Sequence, residues 1–231
     1  MSDTETNRGA IGLSIGIFLI VTLVIAYVDQ KFVPPGIYQG FLTIIGSFIV
    51  VMTITRFRGE TLADMGLRRP KRYWTLPLWV IAIFVVTYAV AGGGQLVVLQ
   101  FVDAPPDLSK FAVLHNNLPV LIISLVSIWV TAAFFEEVVY RGFLLRNLLR
   151  LAGGGGMAVF TMSLLHAIPF GILHLYQGLL GVITTGLVAV VFGIFYALQG
   201  RNLWALIIVH GLIDTLSVVI FYLNGVPQAI G

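Results

Sequence analysis

The chain has 231 residues, of which 58% are hydrophobic and only 10% are charged, and its mean hydropathy is +1.00. Water-soluble domains do not combine these values, so the composition predicts a polytopic membrane protein. The net charge of +3 comes from basic residues that lie beside hydrophobic stretches, which argues against nucleic-acid binding. Since no cysteine is present, disulfides, thiolate nucleophiles and cysteine-ligated metals are excluded.

Seven apolar stretches are long enough for a bilayer core, which needs about 20 residues of helix. They predict an all-α, polytopic transmembrane helix bundle that forms a single integral membrane domain over residues 1–231. The number of spans is about seven, between roughly six and eight, because the long third stretch contains Gly92–Gly94, which marks either a break or a close helix contact. The stretches are 10–28, 36–55, 73–101, 119–146, 157–176, 179–198 and 203–223.

The basic residues are distributed unevenly between the two sides of this arrangement. If the N-terminus is cytoplasmic, eleven lysines and arginines lie on the cytoplasmic side, against Lys31 and Lys110 on the other. Loops on the cytoplasmic side of a membrane carry an excess of positive charge. The distribution therefore predicts a cytoplasmic N-terminus and, with seven spans, a C-terminus on the far side.

Two adjacent glutamates continue the fourth apolar stretch without interruption. Burying an ionised group in hydrocarbon is costly, so Glu136 and Glu137 must face a polar cavity, find partners or be partly protonated. Glu137 and Arg141 are four residues apart, so on a helix they share a face and neutralise each other, which leaves Glu136 available for chemistry. The alternative is that both glutamates lie at the headgroup level, but the apolar run 142–145 that follows favours burial.

Two later spans carry imidazole groups. His166 and His174 lie within roughly 80° of each other on a fifth helix, and His210 and Asp214 share one face of the seventh. Judged alone, each histidine is explained as well by a hydrogen-bonded core residue. Together with Glu136, they predict a shared polar site that activates a water by general-base catalysis or holds a Zn²⁺ that does so. No HExxH segment is present, which excludes a conventional zincin arrangement.

Three motifs follow one another on these spans: Glu136-Glu137-x-x-x-Arg141, Phe170-x-x-x-His174 and His210-x-x-x-Asp214. In this order they resemble the motifs of the CAAX protease and bacteriocin-processing (CPBP) family of intramembrane endopeptidases, which is related to the type II prenyl endopeptidases. The segment 66–70 also looks like an upstream part of bacterial members. The resemblance therefore covers about residues 60–223.

The resemblance implies an intramembrane endopeptidase with a glutamate-activated water. Glu136 would be the general base, and His174 and His210 would position the water, or all three would ligate a zinc ion. Glu137 and Arg141 would support them. The implied substrate is a membrane-associated peptide or a prenylated CaaX-type protein, and the expected location is a prokaryotic plasma membrane.

Asp214 and the fifth-span histidines leave alternatives open. The family's third motif commonly ends in Asn, whereas Asp214 donates no hydrogen bond unless protonated, so a His-orienting or ligand role is expected for it. Depth prefers His166, about 14 Å along a straight fifth helix, to His174 at about 26 Å, since His210 is about 9 Å deep. The motif prefers His174, and Pro169 can kink the helix.

Two other functions use the same residues. A proton-coupled transporter or channel would employ them as a relay, although the sequence shows no internal repeat of the kind common in carriers. A non-catalytic member of the family would act as a bacteriocin-immunity factor or membrane scaffold. The protease is the preferred interpretation.

Overall fold

The computed structural model describes residues 3–70, 72–102, 105–153 and 155–227, and all regular secondary structure among them is helical. This confirms the predicted all-α class. Short 3₁₀ turns and one π-helical segment accompany the α-helices. The α-helices of the described residues are α1 (Asp3–Phe32), α2 (Phe41–Phe57), α3 (Leu76–Val98), α4 (Leu118–Ser127), α5 (Arg146–Ala152), α6 (Gly156–Ile172), α7 (Gly178–Leu198) and α8 (Trp204–Asn224).

All seven predicted apolar stretches are helical, and five of the resulting helices are long and apolar enough to cross a membrane. These five make the chain an integral membrane protein. The other two, α2 and α6, have 17 residues each and rise about 26 Å, at the lower limit for a span. The five long helices are Asn7–Phe32, Tyr73–Val98, Leu118–Ala152, Leu175–Leu198 and Trp204–Asn224.

The helix Leu118–Ala152 is central to the bundle and changes its winding along its length. Between α4 and α5 it is a π-helix, Ile128–Leu145, which packs against α2 and α8. A π-helix has hydrogen bonds between residues i and i+5, so its side chains do not follow the α-helical spacing assumed for this span. Residues 137–145 are buried in the bundle, as the apolar run after the glutamates predicted.

Glycines allow neighbouring helices to approach this centre closely. The Gly92–Gly94 run lies inside α3 and does not break it, and a Cβ at Gly94 would collide with Leu187 of α7. This resolves the open alternative in favour of a close contact. On α8, a Cβ at Gly211 would lie 2.6 Å from the Trp129 ring, so α8 approaches the π-helix at the residue next to His210.

The fifth span ends earlier than predicted. The expected range was 157–176, but α6 ends at Ile172, three residues after Pro169, whose ring removes a backbone donor. The chain then tightens, with the His174 amide donating to the Gly171 carbonyl (2.9 Å), and enters a 3₁₀ turn, Leu175–Gln177. The depth of His174 along a straight helix was therefore wrong, because His174 lies in a turn between two helices.

One end of the bundle is held by a cluster around Glu60. Its carboxylate pairs with Arg58 (2.9 Å), Arg146 (2.6 Å) and Arg150 (2.7 Å). Burial alone would raise the pKa of Glu60, but hydrogen bonds from Arg146 and Arg150 and the charge of Arg58 outweigh burial and lower that pKa. These four residues, called the Glu60 cluster below, fasten the loop after α2 to the end of the central helix.

Candidate active site

A cavity of about 880 Å³ opens at the opposite end of the bundle and reaches the middle of the π-helix. Its volume lies within the range of about 300–1,000 Å³ that is usual for ligand sites. Four of the six predicted catalytic residues line it together, although they come from three separate parts of the chain. These four are Glu136, His174, His210 and Asp214.

Glu137 is fully buried beneath the cavity and organises the side chains around it. Its Oε1 accepts a hydrogen bond from Nη1 of Arg141 (2.8 Å) and lies 2.8 Å from Nδ1 of His210. The predicted neutralisation of Glu137 by Arg141 is thus observed, although both sit in a π-helix. One carboxylate oxygen therefore links the central helix to α8.

His210 is fixed by this contact. Because an ionised carboxylate only accepts hydrogen bonds, the Nδ1 of His210 carries a hydrogen and its Nε2 remains for other partners. Nε2 lies 3.9 Å from Oε2 of Glu136 and 3.6 Å from Oδ2 of Asp214, both beyond direct hydrogen-bond distance. The orienting role expected of Asp214 is filled by Glu137, because Glu137 has the short contact with the ring.

Glu136 differs from Glu137 in having no such partners. Within the described residues, no hydrogen bond involves its carboxylate, which faces the cavity. Arg141 balances the buried charge below it, with its guanidinium carbon 4.7 Å from the Phe170 ring centroid and 5.0 Å from that of Phe192. Stacking on aromatic faces stabilises a buried guanidinium. The two neighbouring glutamates are thus held in different environments.

The two candidate histidines of the fifth span are separated by the end of α6. His174 lines the cavity, and its Nδ1 donates to the Phe170 carbonyl (2.9 Å), which leaves Nε2 without a partner among the described residues. His166 is completely buried, with its Nδ1 2.8 Å from the Ser163 carbonyl, and is not part of the cavity wall. The structure therefore brings His174, and not His166, together with Glu136.

Residues 118–216 match a protein-family model described as type II CAAX prenyl endopeptidase, Rce1-like. This part of the chain is therefore similar to the Rce1-like family. The matched region includes all three motifs on which the CPBP resemblance rests, and it confirms that resemblance. No curated protein and no solved structure matches the chain. The match supports an intramembrane protease at the level of the family.

A zinc site requires histidine and acidic side chains that converge on one point. Among the described residues, no three histidine or acidic side chains come close enough together to hold a metal ion. Nδ1 of His210 is occupied by Glu137, which leaves only Nε2 of that ring as a potential metal ligand. The arranged side chains do not fit the predicted zinc site.

Sequence reasoning missed several residues of the cavity. Tyr140 packs edge-to-face on Phe170, with the ring centroids 4.9 Å apart, and both line the wall. Tyr176 and Lys110 lie on the same wall, from the turn after His174 and the loop before α4. The sequence did contain a feature that could have indicated Lys110, because it is one of only two basic residues on its side of the predicted topology.

Proposed function

We propose that this protein hydrolyses a peptide bond by general-base catalysis, with Glu136 as the base. The proposal rests on one observation above all: the Glu136 carboxylate accepts no hydrogen bond from the described residues and shares a cavity with His174 and His210. A general base must have a free acceptor within reach of the proton it takes, in a pocket that also admits the substrate.

In the proposed reaction, a water lies between Glu136 and the two histidines. Gaps of 3.6–3.9 Å around Nε2 of His210 are of the size that a bridging water spans. Glu136 takes a proton from this water while the oxygen attacks the scissile carbonyl and forms a tetrahedral intermediate. The intermediate expels the amine, which receives the proton from Glu136, so a carboxylic acid and an amine are released.

Glu137 and Arg141 act as positioning residues in this scheme. Glu137 holds the hydrogen of His210 on Nδ1, so that Nε2 is the acceptor that faces the water. Arg141 supplies the positive charge that pairs with the buried Glu137 carboxylate, without taking part in proton transfer. Asp214, 3.6 Å from Nε2, would stabilise the positive charge on His210 if the ring is protonated during the reaction.

The proposed substrate is a membrane-associated peptide, with a prenylated CaaX-type chain as the form suggested by the family. The cavity supports this class because most of the surface of its wall is apolar, while polar side chains are interspersed along it. Such a lining favours an extended peptide with an apolar anchor.

The test is cleavage of fluorogenic membrane-anchored peptides, both prenylated CaaX and leader-peptide types, by the purified protein. Glu136→Gln should reduce the rate by about 100- to 10,000-fold, the usual contribution of a general base. Glu60→Gln is the matched control, since it makes the same change at the other end of the bundle. Undiminished cleavage by Glu136→Gln would contradict the mechanism.

A zinc chelator added to the same assay tests the metal. The proposed reaction runs without one, so cleavage should survive chelation. Loss of cleavage that added Zn²⁺ restores would show that the side chains rearrange around a metal ion during catalysis.

A further inference from the structure

The cavity wall carries one positive side chain that the proposed mechanism does not use. Among the described residues of the wall, Lys110 is the only lysine or arginine, whereas Asp29, Glu136 and Asp214 are acidic. A substrate with a negative group therefore has a single attractive position in an otherwise acidic cavity.

Lys110 is held in place by aromatic rings. It belongs to a 3₁₀ turn, Ser109–Leu114, and its ammonium nitrogen lies 3.2 Å from the ring centroid of Tyr176 and 5.0 Å from that of Phe111. Cation–π contacts of this kind orient an ammonium group while leaving its hydrogens free to bond. Since Tyr176 follows His174 by two residues, the ammonium group is placed beside the proposed catalytic centre.

No carboxylate of the described residues neutralises this ammonium group. Their ion pairs do not include Lys110, so the charges of Glu136 and Asp29 act on it only at longer range. Oδ2 of Asp29 accepts hydrogen bonds from the backbone amide (3.0 Å) and hydroxyl (2.7 Å) of Thr43. Burial lowers the pKa of Lys110 to about 8. An incoming carboxylate would therefore supply a partner that the folded chain does not.

We infer that Lys110 binds a carboxylate of the peptide substrate and makes the enzyme select peptides that carry one close to the scissile bond. The inference rests on the proposed protease function. A peptide offers this group either as its C-terminal carboxylate or as an acidic side chain, and an ammonium group binds both with the same chemistry. Lys110 would thus determine specificity without taking part in bond cleavage.

Three membrane-anchored peptides distinguish the C-terminal carboxylate from an acidic side chain. The first has a free C-terminal acid, the second is its C-terminal amide, and the third is the same amide with aspartate as its last residue. The quantity measured is the ratio of kcat/KM for each carboxylate peptide to that for the plain amide. Wild type should prefer a carboxylate peptide by about 10- to 100-fold, the usual value of a charge-assisted hydrogen bond. Preference for the free acid alone would identify the C-terminal carboxylate as the group bound.

Lys110→Met should bring this ratio to about one, while Lys110→Arg, which keeps the positive charge, should preserve most of it. Lys31→Met is the matched control, because Lys31 is the other basic residue on this side and is exposed at the end of α1. A merely structural role for Lys110 would lower cleavage of all three peptides together. A ratio that persists in Lys110→Met, or a wild-type ratio of one, overturns the inference.

Binding of the same peptides to the Glu136→Gln protein separates this inference from the proposed function. If wild type cleaves none of them, the protease proposal fails, but affinities that differ between acid and amide and depend on Lys110 still support carboxylate recognition. Equal affinities overturn it.

Discussion

The two ends of the molecule use charge in opposite ways. In the Glu60 cluster, one carboxylate meets three guanidinium groups at 2.6–2.9 Å. In the cavity, Glu136, Asp214 and Lys110 have no partner at such distances among the described residues. Charged groups with short ion pairs hold loops and helices together, whereas charged groups without such partners remain available to a substrate. In the proposed mechanism, the same residue types thus serve the fold at one end and chemistry at the other.

The same contrast recurs between two consecutive residues. Glu137 accepts two short contacts, from Arg141 and His210, while Glu136 keeps its carboxylate toward the cavity. In the proposed mechanism, the buried glutamate positions His210 and its neighbour reacts with the water. Neither residue type nor position in the chain separates them; the partners of Glu137 do, namely Arg141 from the same helix and His210 from α8.

The largest expected difference between the cavity and the Glu60 cluster is that they face opposite sides of the membrane. The loops at the cavity mouth, 37–41 and 106–111, lie at the opposite end of the helices from the Glu60 cluster. By the positive-inside rule, the basic end is expected to be cytoplasmic, which predicts that the cavity opens on the far side of the membrane. A substrate would then reach Glu136 after its scissile bond had been translocated.

Thiol labelling tests this orientation, since the natural chain has no cysteine. Ser109→Cys lies at the cavity mouth and Ala63→Cys beside the Glu60 cluster, and both positions are exposed. An impermeant thiol reagent applied to intact cells should label Ser109→Cys and reach Ala63→Cys only after permeabilisation. The reverse pattern would place the active site on the cytoplasmic side and contradict the predicted topology.

Glu137→Gln should give the largest loss of stability. It leaves the fully buried Arg141 without its ion-pair partner, and breaking a buried pair in this way costs about 3–5 kcal/mol. The loss is measured as a fall in the thermal midpoint of the detergent-solubilised protein. Cleavage should also fall, because His210 loses the carboxylate that fixes its hydrogen.

The double variant Glu137→Gln, Arg141→Met is the control for this effect. Removing both charges should recover part of the stability, since no buried charge is left unpaired, but it should not restore cleavage. A single variant as stable as wild type would show that the pair is not needed to hold the π-helix and α8 together.

Much of this arrangement could be predicted from the sequence. Apolar length predicted the helices and their approximate bounds. Ionisable residues inside apolar stretches indicated the site, and all of them except His166 and Arg141 line the cavity or, like Glu137, contact a residue that does. Those signals are local: they depend on residues a few positions apart along one helix.

The remaining features depend on contacts between helices or on backbone winding. The π-helical segment and the early end of α6 changed the geometry that a regular spacing of 100° per residue implies. The contact of Glu137 with His210 joins residues 73 positions apart, so nothing in the spacing of the third motif could reveal that Glu137, and not Asp214, holds the ring. In the sequence, Lys110 contributed only to the charge distribution that predicts the topology, and nothing placed it in the cavity.

The smallest expected effect is that of Glu60→Gln, which removes the central charge of the Glu60 cluster. The side chain is 14% exposed and solvent screens its pairs, so the variant should lose about 1 kcal/mol at neutral pH. Because the folded pKa of Glu60 is lowered, its ionised form stabilises the folded state above the usual glutamate pKa of about 4.3, and this contribution is lost as the pH falls through the lowered value. The thermal midpoints of wild type and variant should therefore differ at about pH 7 and converge at about pH 2. If the thermal midpoints still differ in acid, the Glu60 side chain stabilises this end through packing and not through its ion pairs.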